Sequence, residues 1–246
     1  MNTDKNIQDK IDNFLKENRI NITGGTISSE EELSEVLNNI AMSDLQKGKV
    51  DKALYFVNKA KEFNSKNYYT LFMKGLIYRY TKKYNEAIEM FKEYNTHTND
   101  KLSYIYIGFC YAELNDGESA LDYFRKCEKE FSEEEKNQYG ALMSTVYECM
   151  GNIYINKENI LEFYEDDKFK LSYKLAIKYF KMSLRSNKEN HMLLNKLAVC
   201  YYHFEDINKA LYCFEEAVKI SPENAAYLEA IEEMKEIGAI PEKVEF

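Results

Sequence analysis

The stretch LFMKGLIYRYTKKYNEAIEMF, Leu71 to Phe91, holds two small residues, Gly75 and Ala87, inside what otherwise reads as strong helix. Three further stretches of equal length repeat the arrangement: LNNIAMSDLQKGKVDKALYFV from Leu37, YIYIGFCYAELNDGESALDYF from Tyr104, and LNKLAVCYYHFEDINKALYCF from Leu194. In three of the four, a small residue is followed three later by an aromatic: Gly75 and Tyr78, Gly108 and Tyr111, Ala198 and Tyr201. An alanine then comes twelve residues after the small one, with an aromatic four beyond it: Ala87 and Phe91, Ala120 and Phe124, Ala210 and Phe214. The stretch from Leu37 keeps Ala41, Ala53 and Ala60 but carries Asp44 and Val57 in place of the aromatics. A fifth copy stands behind an insertion, with Gly151 and Tyr154 in its first half and Ala176 and Phe180 in its second. The period is 34 residues from Ala53 to Ala87, 33 to Ala120, and 34 from Ala176 to Ala210.

Residues three and four apart share one face of a helix, so each half-repeat reads as an amphipathic helix with a short turn between the halves. Two antiparallel helices approach closely only where one offers Gly or Ala at the crossing, with large residues filling the groove beside it. The spacing therefore predicts that Gly75 marks a crossing, that Ala87 receives the first helix in return, and that Tyr78 and Phe91 fill the flanking space. A leucine at position 75 would overpack that crossing by roughly 1–3 kcal/mol.

The composition agrees with helices. In 246 residues, 45% hydrophobic, there are two prolines and nine glycines, which leaves few breaks between elements. The net charge is −9 with both signs mixed along the chain, and the nearest thing to a basic stripe, Lys82-Lys83, falls in a turn, which argues against a nucleic-acid partner. No run is apolar enough for a secretory signal or for a membrane span of about 20 residues, so the expected location is cytoplasmic. The five cysteines are odd in number, form no Cys-x-x-Cys pair and fall on core-facing or near-core helix positions, the pattern of reduced, buried thiols.

The period and positions resemble the tetratricopeptide repeat family, a helix-turn-helix of about 34 residues. Its W-x2-L-G-x2-Y, A-x3-F and final P are matched best by Leu194, Leu197, Ala198, Tyr201, Ala210, Phe214, Ala217 and Pro222. The chain has no Trp, so Leu or Tyr stands at the first position, and Lys74 replaces an expected apolar residue. The resemblance implies an all-α, right-handed α-α superhelix, a solenoid of about five hairpins with helical caps. Its expected segments are residues 1–33 as an N-terminal helix and turn, serving as cap or regulatory segment, and 34–222 as five repeats (34–67, 68–100, 101–132, 133–190 and 191–222). Residues 223–246 are expected as a capping helix and tail.

Two places break the period. Gly108 to Gly151 spans 43 residues, and Ser132 with Glu135 fits a capping box that would start the fourth copy's first helix early and make it long. A second insertion lies near 157–171, where Ile160, Leu161, Phe163 and Tyr164 could bury one face of a longer hairpin or contact a partner. At the ends, Ile7, Ile11, Phe14 and Leu15 share a face ahead of a Gly24-Gly25 turn, and Leu228, Ile231 and Met234 share another. Terminal amphipathic helices cover the raw end of stacked repeats. The first could instead dock in the groove; deleting residues 1 to 25 would then strengthen ligand binding.

No catalytic constellation is legible. His97, His191 and His203 are isolated, Gly24-Gly25 lacks a following Lys-Ser/Thr, and ELNDGESALDYF lacks alternating acidic ligands. Neither an enzyme nor a cofactor or metal is expected. By resemblance to the family, the first helix of each copy lines a concave groove. The partner-binding residues it implies are Tyr69, Phe72, Leu76 and Arg79; Leu102, Ile105 and Phe109; Asn152; Asn195 and Tyr202. Phe72, Tyr69, Phe109 and Ile105 would supply apolar contact, and Arg79 and Asn152 orientation. Chaperone-binding members clamp a terminal carboxylate with Lys and Asn; here the matching places hold Asn38, Met42, Met73, Leu102 and Tyr106, which argues against an Hsp70/Hsp90-type tail. The expected role is a non-enzymatic interaction module or adaptor that takes a peptide or amphipathic helix of a partner protein. A peptide-sensing regulatory receptor and a homo-oligomeric scaffold are the alternatives.

Overall fold

The computed structural model describes residues 2–22, 26–156 and 166–246, with backbone alone at 2–5 and 166–169. Gly24-Gly25 and the expected contacts of Ile160, Leu161, Phe163 and Tyr164 lie outside the described residues. Among the described residues every regular element is an α-helix, and the chain divides into two compact units, Met1–Leu114 and Asn115–Phe246.

The first unit holds α1 (Asn2–Glu17), α2 (Glu30–Gln46), α3 (Val50–Phe63), α4 (Tyr69–Tyr80), α5 (Tyr84–Thr98) and α6 (Leu102–Glu113). Helix α2 starts where Ser29 Oγ accepts from the Glu32 N–H at 3.1 Å, while the Glu32 carboxylate accepts from the Ser28 N–H and hydroxyl. These bonds hold the Glu32 carboxyl below its ordinary range, the backbone bond from Ser28 acting most. The turns after α2 and α4 share one device. Gly48 and Lys82 adopt left-handed backbone (φ +72° and +60°), and the next N–H, of Lys49 or Lys83, donates to the carbonyl five residues back at 2.8 Å. Asn115 and Glu205 take the same conformation at the matching turns of other copies. Glycine enters that region freely, Asn with little penalty, and Lys or Glu at a cost of about 1–2 kcal/mol.

The crossing predicted at Gly75 is present, with a closer fit than the spacing implied. Phe91 does not fill space beside the crossing: its ring lies on Gly75 itself, 2.6 Å from where a Cβ would stand. Phe91 is fully buried and its ring contacts Phe72 and Tyr106, with centroids 5.4 and 5.5 Å away. Ala41, Ala53, Val57, Met73 and Ile77 form the core between α2, α3 and α4. Helix α1 packs on α2 and α3: Ile11 is fully buried with Leu33, Leu37 and Ala60, and Phe14 meets Phe63 edge-on at 5.1 Å. The N-terminal helix therefore covers the first hairpin and does not lie on α4 or α6.

The second unit holds α7 (Gly117–Glu130), α8 (Glu133–Gln138), α9 (Gly140–Ile155), α10 (Asp166–Ser186), α11 (His191–His203), α12 (Ile207–Ile220) and α13 (Ala225–Glu236). The capping box at Ser132 and Glu135 forms. The helix it opens does not run long, however; it ends at Tyr139, whose ψ of 26° breaks it into α8 and α9. Phe180 of α10 repeats the glycine fit, 2.3 Å from a Cβ placed on Gly151. Buried Ser144 and Ser183 join α9 to α10, each hydroxyl donating to the other's carbonyl at 2.9–3.0 Å. In α13 the buried face is Tyr227, Ile231 and Met234, while Leu228 stays exposed, contrary to the face expected of it. The final residues are a docked strap: Val244 is buried, and the Ile240 and Glu242 N–H groups donate to Asn208 Oδ1 and carbonyl at 3.0 and 3.1 Å.

Candidate functional site

On α4 and α6 the expected apolar contacts are mostly core. Phe72, Ile105 and Phe109 are buried; Tyr69 is 38% exposed and stacks on Phe72 at 5.5 Å; Leu76 and Leu102 are half-buried. For Phe72 the reason is an aromatic cluster: Phe91 and Tyr94 of α5 and Tyr106 of α6 close over its ring. Tyr94 donates to Asp100 at 2.9 Å, and burial pushes its hydroxyl up to about 12. Burial likewise raises Tyr69 and Tyr106. Tyr106, expected only as a place where a clamp residue is lacking, is the ring that meets Phe72, Phe91 and the Arg79 guanidinium.

Arg79 sits half-buried at the end of α4, its guanidinium 5.9 Å over the Tyr106 ring and 5.5 Å over Phe109. Its Nε is out of solvent and has no hydrogen-bond partner. Asn38 on α2, at the place that matches Phe72 one repeat later, is 1% exposed with neither amide atom partnered. Cys110 nearby is pushed up to about 11 by burial, against which the Arg79 charge pulls.

In the second unit the balance is reversed. Asn152 on α9 and Asn195 on α11 are half-buried, as polar floor groups would be. Around Asn195, α11 leaves Met192 60%, Val199 37% and Tyr202 52% exposed, at spacings that put them on one helix face. Lys196 pairs with Glu148 of α9 at 2.7 Å between these residues. The exposed apolar stripe is thus on α11, where it had been expected on α4 and α6.

The histidines are dispersed: His97 stacks on Tyr68 at 4.0 Å, His191 Nδ1 lies 3.0 Å from the Tyr227 hydroxyl, and His203 is tilted against Tyr173. His97 lies in the last turn of α5, and not in a loop. Among the described residues no group of three His, Cys, Asp or Glu is gathered as a metal site, and no helix is long and apolar enough to cross a membrane. No disulfide joins the five cysteines, four of which are buried.

Tetratricopeptide repeat profiles match residues 191–224 and 68–95, that is α11–α12 and most of α4–α5. The chain carries tetratricopeptide repeats. Its fold is the all-α class of that family, shared with several solved structures of low identity. YrrB, described as a tetratricopeptide-repeat protein with an unusual peptide-binding site, is 18% identical with a TM-score of 0.59, over 90% of this chain and 97% of YrrB. MamA from Desulfovibrio magneticus RS-1 is 14% identical with a TM-score of 0.57, over 78% of this chain and 97% of MamA. PilF of Pseudomonas aeruginosa is 14% identical with a TM-score of 0.57, over 85% and 93%. No curated protein sequence matches the chain. Tetratricopeptide repeats are typically protein-interaction modules, and the repeats place the chain in that class.

Proposed function

We propose that this chain is a non-enzymatic cytoplasmic module that binds an extended or helical segment of a partner protein on the faces of its first helices. The observation that carries the reading is the stripe Met192, Val199 and Tyr202 on α11, left in water beside half-buried Asn195, on a helix joined to α9 by Lys196 and Glu148. Large apolar side chains clustered on one exposed face mark interaction surfaces, and aromatic ones are the commonest hot spots. A half-buried amide beside them suits a peptide backbone, which offers both donors and acceptors. The peptide-binding site in YrrB's description supports the same use of the fold.

The test is affinity capture from host lysate with wild type and a Met192→Ser/Val199→Ser/Tyr202→Ala variant whose helicity and unfolding midpoint match wild type. Loss of one specific protein from the variant alone supports the reading; identical capture by both baits would remove it. Phe72→Ala/Phe109→Ala is the wrong variant for this purpose. Both side chains are buried, so each truncation is expected to cost about 3–5 kcal/mol of stability and to report folding, which a urea titration would show.

A further inference from the structure

We propose that Arg79 is an anchor for a carboxylate side chain of a bound peptide, so that the face of α4 and α6 takes an acidic segment flanked by apolar residues. The inference rests on the reading of the first-helix faces as peptide-binding. Its basis is how the guanidinium is satisfied. The guanidinium carbon lies 5.9 Å over the Tyr106 ring and 5.5 Å over Phe109, where the ring electrons attract the positive charge without accepting a directed N–H bond. The five N–H donors point outward in the plane and need acceptors at the edge. Among the described residues no acceptor takes them, and Nε is shielded from water as well. Glu113, whose charge acts with that of Arg79 on Cys110, accepts from the Tyr84 hydroxyl at 3.1 Å and makes no ion pair with Arg79.

The surroundings fix the ligand's chemistry. Two aromatic rings and the half-buried setting restrict the guanidinium, which lowers the entropy lost when a planar carboxylate meets it with two parallel bonds. Half-buried Leu76 and Leu102 and exposed Tyr69 on the same two helices offer apolar contact to the flanking residues. A single cation is not the Lys-and-Asn clamp that grips a terminal carboxylate, so the partner group is an internal Asp or Glu.

The full chain would be screened against a positional library of nonapeptides, N-acetylated and C-amidated to remove terminal charges, with Asp, Glu, Asn, Gln and phosphoserine among the building blocks. Wild type is expected to select Asp or Glu at one position between apolar ones. Arg79→Gln is expected to bind the best acidic peptide about 10- to 100-fold more weakly and to keep the apolar preference. Arg79→Lys should recover part of the loss, since the charge returns without the planar fork. If Arg79→Gln loses all binding, wild type against the Glu→Gln form of the peptide decides: a drop of about tenfold supports the anchor, and an unchanged affinity overturns it. Selection of apolar residues with no acidic preference, or of phosphoserine alone, overturns the anchor and leaves the groove reading standing. Failure of wild type to bind any member overturns both.

Discussion

Phe91 and Gly75 occupy one volume between them. A methyl group on Gly75 would stand 2.6 Å from the Phe91 ring, closer than real contacts allow. Alanine ordinarily gains about 1 kcal/mol over glycine inside a helix. Here overpacking of about 1–3 kcal/mol should exceed that gain, so Gly75→Ala is expected to lower the urea midpoint. Adding Phe91→Leu should recover part of the loss, because the two residues share one contact and their effects are not additive. Additive losses in the double variant would mean the ring is not what the glycine accommodates. Asn38 gives the opposite prediction. A buried amide without partners costs about 1–3 kcal/mol, so Asn38→Leu, of similar volume, should stabilise the chain by about that amount. An unchanged or lowered midpoint would show that the amide has a partner in solution, such as an ordered water.

At the scale of elements, α1 is an end cover. Ile7, Ile11, Phe14 and Leu15 meet Leu33, Leu37, Ala60 and Phe63 of α2 and α3, and none of the α4 or α6 face belongs to that cluster. Fully burying one side chain such as Ile11 contributes about 1.5–3 kcal/mol. Removing residues 1–25 is therefore expected to lower the melting temperature by several degrees and to leave peptide affinity at α4 and α6 unchanged. Tighter binding by the truncated chain would restore the groove-docking alternative. The same scale explains α8 and α9. The capping box was legible as Ser132 and Glu135, but the break at Tyr139 carries no Pro or Gly to announce it. It follows from packing: Tyr139 turns edge-on to buried Phe131 at 5.9 Å, and Met143, Val146 and Met150 bury from there onward.

Across the whole molecule the buried thiols set a pH limit. Burial pushes Cys110 up to about 11 and Cys127 and Cys200 up to about 12, from an ordinary 9.0, and Cys213 further still. The unfolded chain loses these protons near the ordinary value, while the folded chain keeps them. Above pH 9 the unfolded state thus binds fewer protons, and stability falls as pH rises, by up to about 1.4 kcal/mol per thiol per pH unit until the folded values are reached. Urea midpoints under reducing conditions should be level from pH 7 to about pH 8.5 and drop steeply from pH 9 to 10.5. Cys200→Ala should be less stable at pH 7 and fall with a shallower slope. A midpoint that stays flat through pH 10.5 would show that the thiols ionise in place.

What the sequence determined by itself is the repeat. Small residues at a fixed distance from aromatics can serve only where backbones cross, so Gly75, Ala87, Gly151 and Ala176 announced helix pairs and their period before any coordinates. Capping and core-facing cysteines were legible for the same reason: each depends on neighbours within a turn or two of helix. Exposure was not legible. Phe72, Ile105 and Phe109 occupy the same helix face as Met192, Val199 and Tyr202, yet only the second set meets water. At Phe72 the difference comes from Phe91, Tyr94 and Tyr106, which α5 and α6 bring against its ring. Spacing along one helix says which residues share a face; what covers that face is decided by the elements packed against it.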